Sequence, residues 1–72
     1  MTPNQIRALR LRLGLSQAGF AERYQLPKRT VQNWEQERDG IPASSRTLLI
    51  LIDREPELVA EILKRAHRSD DA

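Results

Sequence analysis

Apolar residues return at helical spacing along most of the chain, and the places where the spacing fails divide it into five segments. In the first segment Ile6, Leu9 and Leu13 lie three and four positions apart and form one stripe. Thr2-Pro3-Asn4-Gln5 supplies its start, with Thr2 as N-cap, Pro3 at the first helical position and Gln5 placed to close a capping box. Gly14 follows as a left-handed C-cap. A second helix is predicted from Ser16 to Tyr24, with Ser16 accepting a first-turn amide and Phe20, Ala21 and Tyr24 on one apolar face. Gly19 is unexpected inside it, because glycine costs up to about 1 kcal/mol relative to alanine in a helix; close helix packing is one reason to have it.

Gln25-Leu26-Pro27 breaks this pattern, since a residue before proline is pushed out of the α region. Pro27 suits the first position of a third helix, predicted over Pro27 to Gln36. Val31 and Trp34 face inward there, and Trp34 is the large aromatic anchor of the core. Lys28, Arg29, Gln32 and Asn33 project outward. Residues 37–42 form a loop, and a fourth helix starts between Ala43 and Ser45. Leu48, Leu49 and Ile52 give it a core face, but Ile50 and Leu51 carry apolar side chains round its other sides. Such a helix is either deeply buried or also faces a partner. Pro56 opens a fifth helix with Leu58, Val59, Ile62, Leu63 and Ala66 as its stripe. That is more apolar surface than a small core needs, and it predicts a homodimer interface in preference to packing within one chain. His67 stands beyond the stripe as a solvated residue. The expected fold class is all-α, a compact five-helix bundle in one domain over 1–68, with 69–72 as a frayed tail.

Length and charge sharpen this picture. Seventy-two residues bury a thin core, so stability is modest and dimerisation would add to it. The longest apolar run, Leu48 to Ile52, is far too short for a membrane span, and Met1 to Asn4 lacks a signal-peptide pattern. No cysteine is present, which removes disulfides and thiolate metal sites and fits a reducing cytoplasm. Up to Arg38 there are seven Lys/Arg and three Asp/Glu, net +4; from Asp39 there are five and seven, net −2, which sum to the overall +2. A basic half beside an acidic half is what an oriented binder of nucleic acid shows.

The outward residues of the third helix match that chemistry. Arg and Lys donate to guanine O6 and N7, and Gln and Asn pair with adenine N6 and N7. A short helix carrying them on its first two turns, braced by a preceding helix, is the layout of a helix-turn-helix in a major groove. The alternative is a polar face that merely meets water. Catalysis finds no comparable pattern: there is no cysteine, no Gly-rich phosphate loop, no paired carboxylates on a rigid apolar surround and only a single histidine. No cofactor and no metal site are expected.

Ser16-Gln17, Phe20-Ala21, Thr30-Val31 and Trp34-Glu35 resemble the XRE/Cro-repressor helix-turn-helix pattern, in the lambda-repressor-like fold with the motif on helices two and three. The segment LPKRTVQNWEQ, followed by a Leu-rich stretch and EPEL, is similar to antitoxins of the HigA and MqsA type. The zinc-binding extension of some MqsA-like antitoxins has no cysteines to build it here. The resemblance implies that Arg29 and Asn33 read bases and that Lys28 and Gln32 read bases or phosphates. It implies that Gln17, at a helix start where amides favour an anion, anchors on the DNA backbone. Ser16, Thr30 and Arg38 complete the expected phosphate set, and Glu35 is expected to bond Arg10. Arg7 and Arg12 either reach phosphates or solvate their helix. In this sequence Gln25 stands where a glycine is common, implying a different turn geometry or a tolerated strain. Pro27 stands where a Ser or Thr cap is common, and Glu37 where a glycine usually follows.

The expected function is therefore sequence-specific binding of double-stranded DNA and transcriptional repression, as the antitoxin of a type II toxin–antitoxin operon with a cognate toxin as partner. A phage-type or stand-alone repressor shares every residue cited, and only the neighbouring gene separates the two. A protein-interaction module that has lost DNA binding is disfavoured by the residues at Lys28, Arg29, Gln32 and Asn33.

Overall fold

The computed structural model describes residues 1–36 and 40–71, the last four of these by backbone alone. Five helices follow one another: α1 (Pro3–Arg12), α2 (Gln17–Arg23), α3 (Lys28–Gln36), α4 (Ala43–Arg54) and α5 (Pro56–Asp71). Among the described residues no helix is long and apolar enough to cross a membrane.

Local chemistry sets most boundaries. The Thr2 hydroxyl accepts from the Gln5 amide at 3.2 Å, while Gln5 Oε1 accepts from the Thr2 amide at 2.8 Å, closing the capping box. The Ser16 hydroxyl accepts from the Gly19 amide at 3.0 Å. A Cβ on Gly19 would lie 3.2 Å from that Ser16 Oγ, so glycine relieves crowding against the cap itself. The exits of α1 and α2 are built alike. After α1, the Gly14 amide donates to the Leu11 carbonyl and the Leu15 amide to the Arg10 carbonyl, with Gly14 at φ +71°. After α2, the Gln25 amide donates to Glu22 and the Leu26 amide to Ala21, with Gln25 at φ +56°. Both are Schellman caps, which require a left-handed residue. The turn thus keeps the usual geometry, and Gln25 carries the strain, offset in part by its Nε2 donating to the Glu22 carbonyl at 3.3 Å.

Two boundaries differ from expectation. Pro27 precedes α3 instead of opening it, and its carbonyl accepts from the Thr30 amide at 3.0 Å. α5 continues to Asp71, through residues predicted as a frayed tail, because no glycine or proline interrupts Arg68 to Asp71. Of the predicted loop 37–42, residues 37–39 lie outside the described residues.

The core joins Ile6 and Leu9 of α1, Phe20, Ala21 and Tyr24 of α2 and its C-cap, Val31 and Trp34 of α3, and Leu49 and Ile52 of α4. Phe20 and Tyr24 meet with ring centroids 4.9 Å apart in a tilted pair. Among its described side chains, α5 adds only partly buried apolar ones, Val59, Ala60 and Leu63. The stripe predicted for α5 is therefore split, with Leu58 and Ile62 left exposed, as Ile50 and Leu51 of α4 also are. The Tyr24 hydroxyl donates to the Pro56 carbonyl at 3.0 Å and ties the turn after α2 to the start of α5.

Two outcomes follow from these contacts. Gln25→Gly removes a Cβ from a left-handed position, which costs about 1 kcal/mol or more in an L-residue. It should raise the urea midpoint by a stabilisation of up to about 1 kcal/mol. Burial pushes the Tyr24 phenol above its ordinary 10.0, so its neutral form stabilises the fold fully below that pH and the contribution fades as pH climbs through the folded value. Tyr24 is the chain's single tyrosine, so tyrosinate absorbance should rise later in native than in urea-unfolded protein. A Tyr24→Phe variant should lose about 1 kcal/mol at neutral pH, and this deficit should shrink in alkali.

Candidate nucleic-acid interface

α3 is seated on α1 and α2 by Val31, fully buried, and Trp34, 4% exposed. Everything on its opposite side is thereby directed to solvent. Lys28 and Arg29 are exposed, and Gln32 and Asn33 are half-buried along the flanks of the same face. Arg29, Gln32 and Asn33 lie three and four residues apart, close enough to act as neighbours on one surface. Gln36, predicted only as the last residue of the helix, continues that surface and is exposed. Its signal in the sequence is the same spacing, three beyond Asn33 and four beyond Gln32. Thr30 is half-buried at the margin.

Of the other predicted DNA residues, Ser16 is exposed with its oxygen engaged as the α2 cap, which leaves its hydroxyl hydrogen to donate outward. Gln17 is half-buried at the first position of α2. Arg38 lies outside the described residues.

The orientation of α3 is fixed by one ion pair. Arg10 Nε donates to Glu35 Oε2 and Arg10 Nη2 to Glu35 Oε1, both at 2.9 Å, and Nη1 donates to the Leu15 carbonyl at 3.0 Å. The two side chains are 11% and 7% exposed. The hydrogen bonds that the Arg10 guanidinium donates to Glu35 raise its pKa above the ordinary value, against the lowering effect of burial. Glu35 is the only acidic residue of α3, so its engagement leaves Lys28 and Arg29 unopposed on the outward face. A second pair joins Arg12 Nη2 to Asp53 Oδ1 at 2.8 Å, linking α1 to α4. Nothing in the sequence signalled it, the partners being 41 positions apart. Among the described residues no group of three or more His, Cys, Asp and Glu is placed to hold a metal ion.

A helical core with α3 braced on α2 and tied to an arginine of α1 defines a helix-turn-helix. The helix-turn-helix family model matches residues 6–52, and the chain belongs to this family of DNA-binding regulators, in its XRE-type branch. Antitoxin HigA-2 of Vibrio cholerae serotype O1 is 34% identical to the chain over 62 residues, covering 86% of the chain. The chain spans about 60% of the length of that curated relative.

Removing Glu35 alone leaves a nearly buried guanidinium without its partner. Glu35→Ala should therefore cost about 3 kcal/mol or more in urea unfolding. Replacing both members by apolar residues, Arg10→Met with Glu35→Leu, should recover most of that loss, because no charge then stays stranded. An equal deficit in the single and double variants would show that the pair contributes by packing alone.

Proposed function

We propose that the protein is a sequence-specific DNA-binding repressor, the antitoxin of a type II toxin–antitoxin operon that it autoregulates. The observation that carries the reading is the outward face of α3: Lys28, Arg29, Gln32 and Asn33 lie on it, while its only carboxylate is turned inward to Arg10. Arg29 and Asn33 read base edges in the major groove, with Lys28 and Gln32 beside them. Ser16, Gln17, Thr30 and Arg38 hold phosphates and set the register. The name of the relative, an antitoxin, supports the operon context and a cognate toxin as partner.

The binding unit is a homodimer. Ile50, Leu51, Leu58 and Ile62 are each more than half exposed, and they lie on the two helices farthest along the chain from the reading face. A second copy covering them would place two third helices in successive major grooves, about one helical turn apart.

Fluorescence titration against the DNA upstream of the protein's own coding region, beside a scrambled duplex, tests the proposal. Tighter binding to the upstream duplex, two chains per site and affinity falling steeply with salt are the expected results. Arg29→Ala should cost roughly 1–3 kcal/mol and relax preference at one base pair, whereas Gln17→Ala should weaken all duplexes about equally. Equal, weak binding to both duplexes would leave only a basic surface and overturn the reading.

A further inference from the structure

α1 carries three arginines and no acidic residue, and the three are engaged differently. Arg10 closes on Glu35 of α3. Arg12 Nη2 donates to the Asp53 carboxylate at 2.8 Å and to the Asp53 carbonyl at 3.3 Å, which ties that guanidinium to the end of α4. Arg7 is exposed and has no ion pair with any other described residue. The flank on which it stands follows from its neighbours. Gln5, Ala8, Leu9 and Arg12 line the groove between α1 and α4, with Ile50 and Asp53 opposite. Arg10 lies on the other flank, the one against α3. At about 100° per residue, Arg7 is about 60° round the helix from Arg10 and about 140° from Arg12. It therefore belongs to the α3 flank, one turn from the Arg10–Glu35 clasp and turned further towards solvent.

A major groove about 12 Å wide is filled by a helix about 10–12 Å across, so the two phosphate backbones run along the sides of that helix. They meet whatever packs there. In this chain α2 and α1 are the helices packed most extensively on α3. Ser16 and Gln17 face a backbone from α2 in the interface proposed above. Arg7 offers from α1 what a phosphate takes, a permanent charge and a planar fork of N–H donors.

On the footing of the function proposed above, we infer that Arg7 is a DNA-positioning residue, whose guanidinium donates to a phosphate of the backbone passing α1 while α3 occupies the groove. It carries no sequence information and helps to fix the register of α3 on the duplex. Arg12, held by Asp53 on the opposite flank, takes no part.

Titration of the upstream duplex and a scrambled one at several salt concentrations tests the inference, for the wild type, Arg7→Ala, Arg7→Lys and Arg12→Ala. The substituted side chains are exposed, and unchanged helical circular dichroism should confirm that the variants fold. Arg7→Ala should weaken both duplexes by the same factor. It should also reduce the slope of log K against log salt by about 0.9 for each chain bound. Arg7→Lys keeps the charge and should keep the wild-type slope, with some loss of affinity because the bidentate fork is gone. Arg12→Ala removes an equal charge from the same helix and should leave the slope unchanged. A wild-type slope in Arg7→Ala would make Arg7 a solvated residue and overturn the inference. Equal slope losses in Arg7→Ala and Arg12→Ala would mean that net charge alone counts, and would overturn it too. So would a change of base preference at one position in Arg7→Ala. A wild-type chain that binds both duplexes equally and weakly brings down the function proposed above. A wild type that prefers the upstream duplex, beside an Arg7→Ala variant with the same slope, brings down this inference alone.

Discussion

The fold depends on where a single guanidinium goes. Arg10 reaches from α1 to the carboxylate of Glu35 on α3 and to the carbonyl of Leu15 at the entry to α2. Three elements of the motif are thus held by one planar group, whose rigid fork matches a carboxylate with two parallel bonds. Apolar packing alone would let α3 rotate a little about its axis, since Val31 and Trp34 fix a side but not an angle. The bidentate contact removes that freedom. It also decides the electrostatics of the outer face by taking the one negative charge of α3 out of competition with Lys28 and Arg29.

The turn between α2 and α3 shows how the same constraint can be met by different residues. Gly14 and Gln25 close their helices with the same pair of backbone bonds and nearly the same left-handed φ. Glycine does so without strain, and glutamine with it. The bonds that turn the chain from α2 into α3 therefore survive the loss of the usual glycine. Pro27 then sits just outside α3, with its carbonyl bonding the Thr30 amide in place of a side-chain cap.

Much of this was legible in the sequence because helix ends and buried stripes are written in local chemistry. Thr2, Gln5, Ser16 and Gly14 each act through neighbours a few residues away, and each does what its type predicts. Trp34 and the Arg10–Glu35 pair were legible as well, the second through family resemblance. What could not be read depended on how helices far apart in the chain are set against one another. Arg12 meeting Asp53 is such a case, and so is the division of the α5 stripe into Val59 and Leu63 inward, Leu58 and Ile62 outward. The left-handed Gln25 was narrowed to two alternatives, because sequence shows the residue and not the cap that strains it. Gln36 was placed as a helix terminus, and its share of the outward face emerges only once Val31 and Trp34 fix the buried side.

The way α5 is attached has a consequence of its own. No described residue of α5 is fully buried, and the nine core residues come from α1 to α4 and the Tyr24 cap. Among the described residues, Val59, Ala60 and Leu63 pack the helix on the core, and a hydrogen bond from Tyr24 reaches its first turn. Opening of α5 breaks the Tyr24 bond and the packing of Val59, Ala60 and Leu63 on the core, and involves neither partner of the Arg10–Glu35 clasp. Local opening of this kind lies at the low end of the free-energy range in a small domain. A terminal helix without a fully buried described residue is the element expected to open first, ahead of the four helices that supply the core.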